Sequence, residues 1–370
     1  MNSIKRFLFL LFFIILFSIT VLKVKAEGNI NVSAQCAVML ESHTKRVMYE
    51  KSAHEQRPVA SISKIMTAII AIENAPLDEY VTISKYAARQ IGSSLYLKVG
   101  EEVTFRDLIY GLMLRSGNDA AYAIAEYIGN GDIDYFVYLM NEKAKALGLK
   151  KSVFGNPSGL DELSQNLSTA YDMALITKYA MDNPIFREIN NTSTYRATTK
   201  AGSVYVWHNK HRLINHYDFI IGGKTGYTKL AKRTLVSVGN KSGLELIVVT
   251  LNSGNDWNDH LQLFNYGFTE FDLYTLIEKG IFEVKALDEI FYVDEKIVYP
   301  LKKNEFAILK IVFDVDEKTN ITYLLVVKDK DILYKKEVYK YDSTHSVLKN
   351  SLTIIDIWDG MKLFVRELFW

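Results

Sequence analysis

The chain has 370 residues, 49% of them hydrophobic, so it is long enough for about two domains with sizeable cores. Its 44 basic and 43 acidic residues give a net charge of +1, without a sustained basic run. Binding of nucleic acid requires clustered Lys and Arg, so we expect no nucleic acid partner. The single cysteine, Cys36, excludes an internal disulfide and a zinc site built on thiolates, and its apolar neighbours predict a buried side chain.

The N-terminal segment, residues 1–26, has the three parts of a secretory signal peptide. Lys5 and Arg6 supply the positive start, an apolar stretch covers residues 7–22, and Ala26 precedes the expected cut. An uncleaved membrane anchor is the alternative, although the apolar stretch is shorter than the ~20 residues of a full span. With either interpretation we expect an exported, extracytoplasmic protein.

The next part, residues 27–273, mixes strand and helix patterns and predicts an α/β (α+β) domain. Two strands joined by a turn are expected in "CAVMLESHTKRVMYEK", and a hairpin in "RTLVSVGNKSGLELIVVTLN". Helices are expected in "SKIMTAIIAIENA", in "DYFVYLMNEKAKALG" and in "FRDLIYGLMLRSGNDAAYAIAEYIG", the last with a break at its Ser-Gly-Asn. Short β-rich runs between charged turns then predict a small β-sandwich over residues 274–345.

The last residues, 350–370, predict an amphipathic helix, because Trp358 and Phe364 share one face while Asp359 and Glu367 lie opposite. Two interpretations stay open. The helix lies in the membrane interface, which would make the protein peripheral on the outer face of the cytoplasmic membrane, or it packs on its own domain. The polar face is not rich in Lys or Arg, which weakens the first interpretation.

The first element with catalytic potential is Ser61-Ile62-Ser63-Lys64, preceded by "RPVA". If a helix begins near Pro58, Ser61 lies in its first turn, where its N–H has no helical partner and is available to an oxyanion. Lys64, three residues later, lies on the same side and can accept the hydroxyl proton once burial or nearby positive charge lowers its pKa. Alone this pattern is weak evidence for catalysis, since most such pairs of Ser and Lys lie on solvated helix faces.

Two further elements follow along the chain. Ser116-Gly117-Asn118 interrupts an apolar helical stretch, and a structural cap or helix break explains it as well as a site does. In Lys224-Thr225-Gly226 the glycine lets a ligand lie close to a strand edge and the lysine offers a cation to a carboxylate. The alternative for this element is a glycine-rich turn; the spacing of a phosphate-binding loop is absent.

The order of the three elements is that of penicillin-recognising serine enzymes. With "ASISKIMTA", "LMLRSGNDAA", "FGNPSGL" and "GGKTGYTKLAKRTLVS", the chain resembles the low-molecular-mass penicillin-binding proteins that are serine D-alanyl-D-alanine carboxypeptidases. The resemblance covers nearly all of the exported chain. It implies a penicillin-binding/β-lactamase-like transpeptidase domain over residues 27–273, followed by a small β-domain and a terminal amphipathic helix.

The resemblance also implies roles. Ser61 would attack the carbonyl of a terminal D-Ala-D-Ala in a peptidoglycan stem peptide, Lys64 would accept its proton, and Ser116 would relay a proton to the leaving D-alanine. Asn118 would hold the substrate amide. β-Lactams would be trapped as esters of the nucleophile, and no cofactor is implied.

For the carboxylate and the oxyanion, the resemblance implies Lys224 with Thr225, beside Gly226, and the N–H groups of the nucleophile and of Tyr227. One departure concerns an arginine that some family members carry before "YGF", where this chain has "NDWN" at 255–258. Arg233 follows the Lys-Thr-Gly element, and whether it replaces that arginine stays open.

Two other functions share these elements. A serine β-lactamase would need a loop glutamate in an E-x-x-L-N run, and "GLDELSQNLS" offers Glu162 and Asn166 without that pattern. A penicillin-binding wall protein with little turnover would keep the fold alone. We expect no metal site, because the histidines lack H-x-x-x-H spacing; His208 and His211 are interpreted as surface or substrate-strand residues.

Overall fold

The computed structural model describes residues 30–161, 164–284, 289–302, 305, 308–316, 319, 321–328 and 330–341. The predicted signal peptide and the predicted terminal helix lie outside these ranges. Within them, no helix is both long enough and apolar enough to cross a membrane.

The helices and strands alternate along the first part of the chain, and only strands follow residue 270 in the described ranges. The helices are α1 (Lys64–Asn74), α2 (Lys85–Ala88), α3 (Phe105–Arg115), α4 (Asn118–Ile128), α5 (Ile133–Ala146), α6 (Ala170–Asp182), α7 (Pro184–Asn191) and α8 (Asp256–Glu270). The strands are β1 (Cys36–Glu41), β2 (Val47–Lys51), β3 (Arg57–Pro58), β4 (Tyr80–Thr82), β5 (Glu102–Thr104), β6 (Leu167–Ser168), β7 (Thr194–Thr198), β8 (Val204–His208), β9 (Ile220–Thr228), β10 (Lys232–Lys241), β11 (Leu244–Ser253), β12 (Phe271–Ile277), β13 (Gly280–Val284), β14 (Glu289–Val293), β15 (Ile297–Lys302), β16 (Leu309–Asp316), β17 (Ile321–Lys328) and β18 (Asp331–Lys340).

The central sheet has five antiparallel strands in the order β2-β1-β11-β10-β9. Helices cover both faces, which explains why its inner strands are apolar without alternation. On β1, Val38 points into the cluster formed with the helical region, while its neighbour Met39 lies against Gly267 of α8. Cys36 begins this strand and is buried, as its surroundings predicted. The sheet order leaves β9 at an edge, and that edge faces the helices that carry the site.

The helical region forms around α1, whose residues from Lys64 to Ala71 are all buried. The predicted break at Ser-Gly-Asn is confirmed, because α3 ends at Arg115 and α4 begins at Asn118. Ser116 has a φ of 63°, in the left-handed region, so the helix cannot continue through it. Gly117 is required next to it, since a Cβ there would lie 2.7 Å from Leu95.

The β-rich part of the fold is also present. β12 pairs with β15, and a second sheet has the order β13-β14-β18-β17-β16. Side chains from both sheets, among them Phe291, Tyr299 and Phe313, form one apolar cluster. Two sheets that share a core in this way form a sandwich, so the α/β fold with a following β-rich region is confirmed.

Arg46, in the turn between β1 and β2, ties the two parts together. Its guanidinium makes two hydrogen bonds of 2.7 Å with the carboxylate of Glu305 and donates to the carbonyl of Pro300. It also lies 5.1 Å from the ring centre of Phe271 and 5.3 Å from that of Tyr299. Because Arg46 and Glu305 are both largely withdrawn from water, removal of one leaves the other poorly compensated.

We therefore expect Arg46→Ala to lower the free energy of unfolding by about 2 kcal/mol, measured by urea denaturation. Arg57→Ala is the matched control, because its ion pair with Glu55 is more exposed and should contribute less than about 1 kcal/mol. Equal effects of the two substitutions would contradict the role given to Arg46.

Candidate active site

The nucleophile candidate Ser61 lies in a single 3-10 turn, Ala60–Ser63, that runs directly into α1. Lys64 follows one turn later on the same side, with its Nζ 3.1 Å from the Ser61 Oγ. While Lys64 is protonated, the hydroxyl donates a hydrogen bond of 3.3 Å to the carbonyl oxygen of Ser158. The local spacing of the helix thus brings the two groups into contact, as the sequence predicted.

Lys64 is completely buried, and its Nζ contacts three groups. Besides Ser61, these are the Oδ1 of Asn118 at 2.7 Å and the carbonyl oxygen of Ser158 at 2.5 Å. Burial lowers the pKa of Lys64 well below its usual value, and the positive charges of Lys224 and Lys210 lower it further. The neutral amine is thereby favoured.

The three contacts also determine which group gives a proton to that amine. An ammonium donates to all three partners, whereas a neutral amine must accept from one of them. The Asn118 Oδ1 and the Ser158 carbonyl can only accept hydrogen bonds. The hydroxyl of Ser61 is the one partner of the three that can donate, so the neutral Lys64 receives the hydrogen bond of the nucleophile.

Ser116 and Asn118 come to this site because of the helix break between them. The Oγ of Ser116 accepts a hydrogen bond of 3.0 Å from the Nζ of Lys224. Asn118 points its Oδ1 at Lys64 and donates from its Nδ2 to the carbonyl of Ile91, 2.6 Å away. The helix break therefore brings Ser116 next to Lys224 and Asn118 next to Lys64, and their roles in a site stay a prediction.

Lys224, Thr225 and Gly226 lie in the middle of β9, so the interpretation of this segment as a glycine-rich turn is wrong. Lys224 is buried and donates to Ser116 and, at 2.8 Å, to the carbonyl of Thr225. Burial and the charge of Lys210 lower the pKa of Lys224 to about 7.

Gly226 lies against the turn that holds the nucleophile. A Cβ at this position would lie 2.4 Å from the Thr234 Oγ1 and 2.9 Å from the backbone nitrogen of Ser61. No side chain larger than hydrogen fits there. Because Gly226 lies this close to Ser61, the two N–H groups predicted for an oxyanion hole, those of Ser61 and Tyr227, belong to adjoining segments. The side chain of Tyr227 is 64% exposed at the sheet edge.

A loop that the sequence analysis assigned no role supplies the carbonyl of Ser158. Asn156 accepts hydrogen bonds from the N–H groups of Ser158 and Gly159 and so bends the loop towards α1. A Cβ at Gly159 would lie 2.1 Å from the carbonyl oxygen of Ala60, so the glycine permits this approach. Asn166, considered above for a β-lactamase, is buried and holds the same loop through Gly155 and Asn156, while Glu162 lies outside the described residues.

Lys210 and Asp119 are two further charged residues that the sequence did not single out. Lys210 is a third lysine, whose Nζ donates to the Ser93 Oγ at 3.1 Å and whose charge lowers the pKa of both Lys64 and Lys224. Asp119 is fully buried and accepts from the N–H groups of Leu95 and Leu97 and from Ser94. The only sequence signal was their position, because Lys210 is next to His211 and Asp119 is next to Asn118.

The remaining candidates lie around this centre. Arg233 pairs across the sheet with Tyr227 and lies 3.6 Å from the carboxylate of Asp256. His208 is exposed on β8, but His211 is 1% exposed, so the surface interpretation is wrong for His211. Among the described residues, no three His, Cys, Asp or Glu side chains group as metal ligands would.

Comparison with known proteins now identifies the family. The family described as D-alanyl-D-alanine carboxypeptidase matches residues 23–255. The chain belongs to this family. It is 33% identical over 264 residues to the D-alanyl-D-alanine carboxypeptidase DacF of Bacillus subtilis, a match that covers 69% of this chain and 67% of the relative.

Solved structures of this carboxypeptidase family agree with the fold. The D-alanyl-D-alanine carboxypeptidase DacD of Francisella tularensis is 25% identical, with a TM-score of 0.69, and the match covers 85% of this chain and 94% of that one. The DD-transpeptidase of Streptomyces K15 is 35% identical, with a TM-score of 0.62, over 64% of this chain and 98% of that one. The larger coverage of the first match extends into the β-rich part.

The pKa of Lys224 predicts how this family member responds to pH. Only the protonated ammonium attracts a carboxylate, so we expect kcat/KM for a peptide with a free C-terminal carboxylate to fall as the pH rises through about 7. Arginine keeps its charge throughout this range. In Lys224→Arg the fall should therefore move to higher pH, whatever the maximal rate. An identical alkaline limb in both proteins would assign that limb to another group.

Proposed function

We propose that this protein is a serine D-alanyl-D-alanine carboxypeptidase that removes the terminal D-alanine from peptidoglycan stem peptides during cell-wall maturation. The observation that carries the proposal is the contact of 3.1 Å between the Ser61 Oγ and the buried Nζ of Lys64. Lys224, a second buried lysine, lies 3.0 Å from the Ser116 Oγ, and as an ammonium it would attract a C-terminal carboxylate. Membership of the family supports the choice of substrate.

In the acylation step, the Ser61 Oγ attacks the carbonyl carbon of the penultimate D-alanine and its proton passes to Lys64. The N–H groups of Ser61 and Tyr227 stabilise the oxyanion of the tetrahedral intermediate. The intermediate then collapses with cleavage of the C–N bond. The leaving amine takes a proton from the hydroxyl of Ser116, and Lys224, 3.0 Å away, replaces it, so that Lys64 ends the step protonated and Lys224 neutral. An ester on Ser61 and free D-alanine result.

In the deacylation step, water attacks the ester carbonyl and gives one proton through Ser116 to Lys224. The C–O bond to Ser61 breaks, the serine oxygen regains its proton from Lys64, and the shortened peptide leaves with a new carboxylate. The net reaction adds one water across one peptide bond. β-Lactams would acylate the same serine, but their opened ring stays attached, so no leaving group departs and the ester persists.

Ser61→Ala tests the assignment of the nucleophile. The purified wild-type protein should release D-alanine from a diacyl-Lys-D-Ala-D-Ala tripeptide and should be labelled covalently by a fluorescent penicillin. Without the hydroxyl no ester can form, so Ser61→Ala should lose both properties. Labelling that persisted in the variant would place the nucleophile elsewhere.

The same assays separate the other functions. Rapid hydrolysis of penicillin by the wild type would favour a β-lactamase, and labelling without D-alanine release would favour a binding protein with little turnover. Incorporation of an added D-amino acid at the expense of hydrolysis would indicate transpeptidation, the activity named for the Streptomyces K15 relative.

We also propose that the protein is exported through residues 1–26 and is peripheral on the outer face of the cytoplasmic membrane through residues 350–370. The sequence pattern of each segment supports this. Removal of residues 352–370 should shift the protein from the membrane fraction to the soluble fraction of lysed cells while D-alanine release continues. An unchanged distribution would mean that this segment is not the anchor.

A further inference from the structure

Two buried side chains lie directly against the backbone of β9, just before Lys224. A Cβ at Gly222 would lie 2.3 Å from the Nδ2 of Asn190, and one at Gly223 would lie 2.4 Å from the Nε2 of His211. Asn190 and His211 are each 1% exposed. The two glycines therefore let the strand approach two polar side chains more closely than any other residue would allow.

Both side chains also form hydrogen bonds with the sheet at this point. The Oδ1 of Asn190 accepts from the N–H of Gly223 at 3.2 Å. The Nε2 of His211 lies 3.1 Å from the carbonyl oxygen of Val236 and 2.8 Å from the Oγ of Ser237. Val236 is the residue opposite Lys224 in the sheet, and Ser237 is opposite Gly223. The contacts thus hold both strands at the level of Lys224.

His211 continues into a chain of hydrogen bonds behind the sheet. The Ser237 Oγ lies 2.8 Å from the Nδ1 of His260, whose Nε2 lies 2.9 Å from the Oγ1 of Thr250. A consistent direction exists: His211 Nε2–H donates to Val236 and Ser237, the Ser237 hydroxyl donates to His260, and His260 Nε2–H donates to Thr250. This chain connects β10, β11 and α8.

The two histidines are neutral in this arrangement. Burial lowers the pKa of His211 to about 4, with a further contribution from the charge of Lys224, and burial lowers the pKa of His260 well below its usual value. The ring of Trp257 packs edge-on against His211, with the ring centres 5.3 Å apart. His211 is therefore a rigid, uncharged donor next to a cation that the site needs.

We propose that Asn190 and His211 are positioning residues that set the place of Lys224 relative to Ser116. The strand sets the position of the Lys224 Cα, from which the side chain reaches Ser116 and the Thr225 carbonyl, so the location of residues 222 and 223 affects where its Nζ lies. Displacement by about 1 Å is enough to reduce catalysis strongly. The inference rests on the proposed carboxylate-binding role of Lys224.

A double-mutant cycle tests the contact of Asn190 with Gly222. Gly222→Ala forces the Asn190 amide away, because the three atoms nearest to the new methyl group all belong to Asn190. We expect Gly222→Ala and Asn190→Ala each to lower the second-order rate of acylation by benzylpenicillin about tenfold. The double variant should be no slower than Asn190→Ala alone, because the damage of the first change passes through Asn190.

A second ligand separates positioning of Lys224 from a general loss of structure. The methyl ester of benzylpenicillin lacks the carboxylate, so its acylation should change less than about twofold in the same variants. His211→Phe keeps an aromatic ring and removes the donor, so it should also lower acylation by benzylpenicillin about tenfold and acylation by the methyl ester less than about twofold. His208→Phe, at an exposed position, is its control. Equal losses with the two ligands, or additive effects in the cycle, would overturn the proposal.

The outcome is independent of the proposed reaction. Acylation by penicillin reports on Lys224 even if the wild type releases no D-alanine, and that failure would count against the carboxypeptidase alone. Thermal unfolding of each variant identifies any that does not fold. The Asn190→Ala and His211→Phe variants change different parts of the fold, so the proposal can still be tested if one of the two does not fold.

Discussion

The whole site depends on the burial of one amine. An ammonium group that is withdrawn from water loses its hydration, and neutralisation is the cheapest way to avoid that loss. Lys64 begins a helix that is buried from Lys64 to Ala71, so its pKa falls and its neutral Nζ can act as a base next to Ser61. Since Asn118 and the carbonyl of Ser158 only accept hydrogen bonds, the serine hydroxyl alone can satisfy the neutral amine.

Three lysines share a small region, and their mutual repulsion is part of the chemistry. Lys224 and Lys210 both lower the pKa of Lys64, which favours a neutral Lys64 beside a protonated Lys224. In the proposed mechanism the neutral amine is the base, and the ammonium attracts the substrate carboxylate. Asp119 opposes the effect on Lys64, and its carboxylate is held by N–H groups of the loop at Leu95 and Leu97.

Close approach of backbone segments assembles this arrangement. Gly226 permits β9 to lie against the backbone nitrogen of Ser61, and Gly159 permits the Ser158 loop to lie against Ala60. Gly222 and Gly223 permit Asn190 and His211 to pack directly against the backbone of β9. A Cβ at any of these positions would push apart segments that must meet within a few tenths of an ångström.

The sequence by itself determined what depends on local geometry. Helical spacing places Lys64 one turn after Ser61, and the poor helix formers at Ser116-Gly117 predict the break before Asn118. The tertiary structure alone decided which distant groups complete the site. The carbonyl of Ser158 is 94 residues from Lys64, and Asn190 is 33 residues from the N–H of Gly223 that it binds. The proposed role of His211 also depends on the packed sheet. Sequence periodicity describes neighbours on one element, whereas burial and its effect on pKa arise when separate elements pack together.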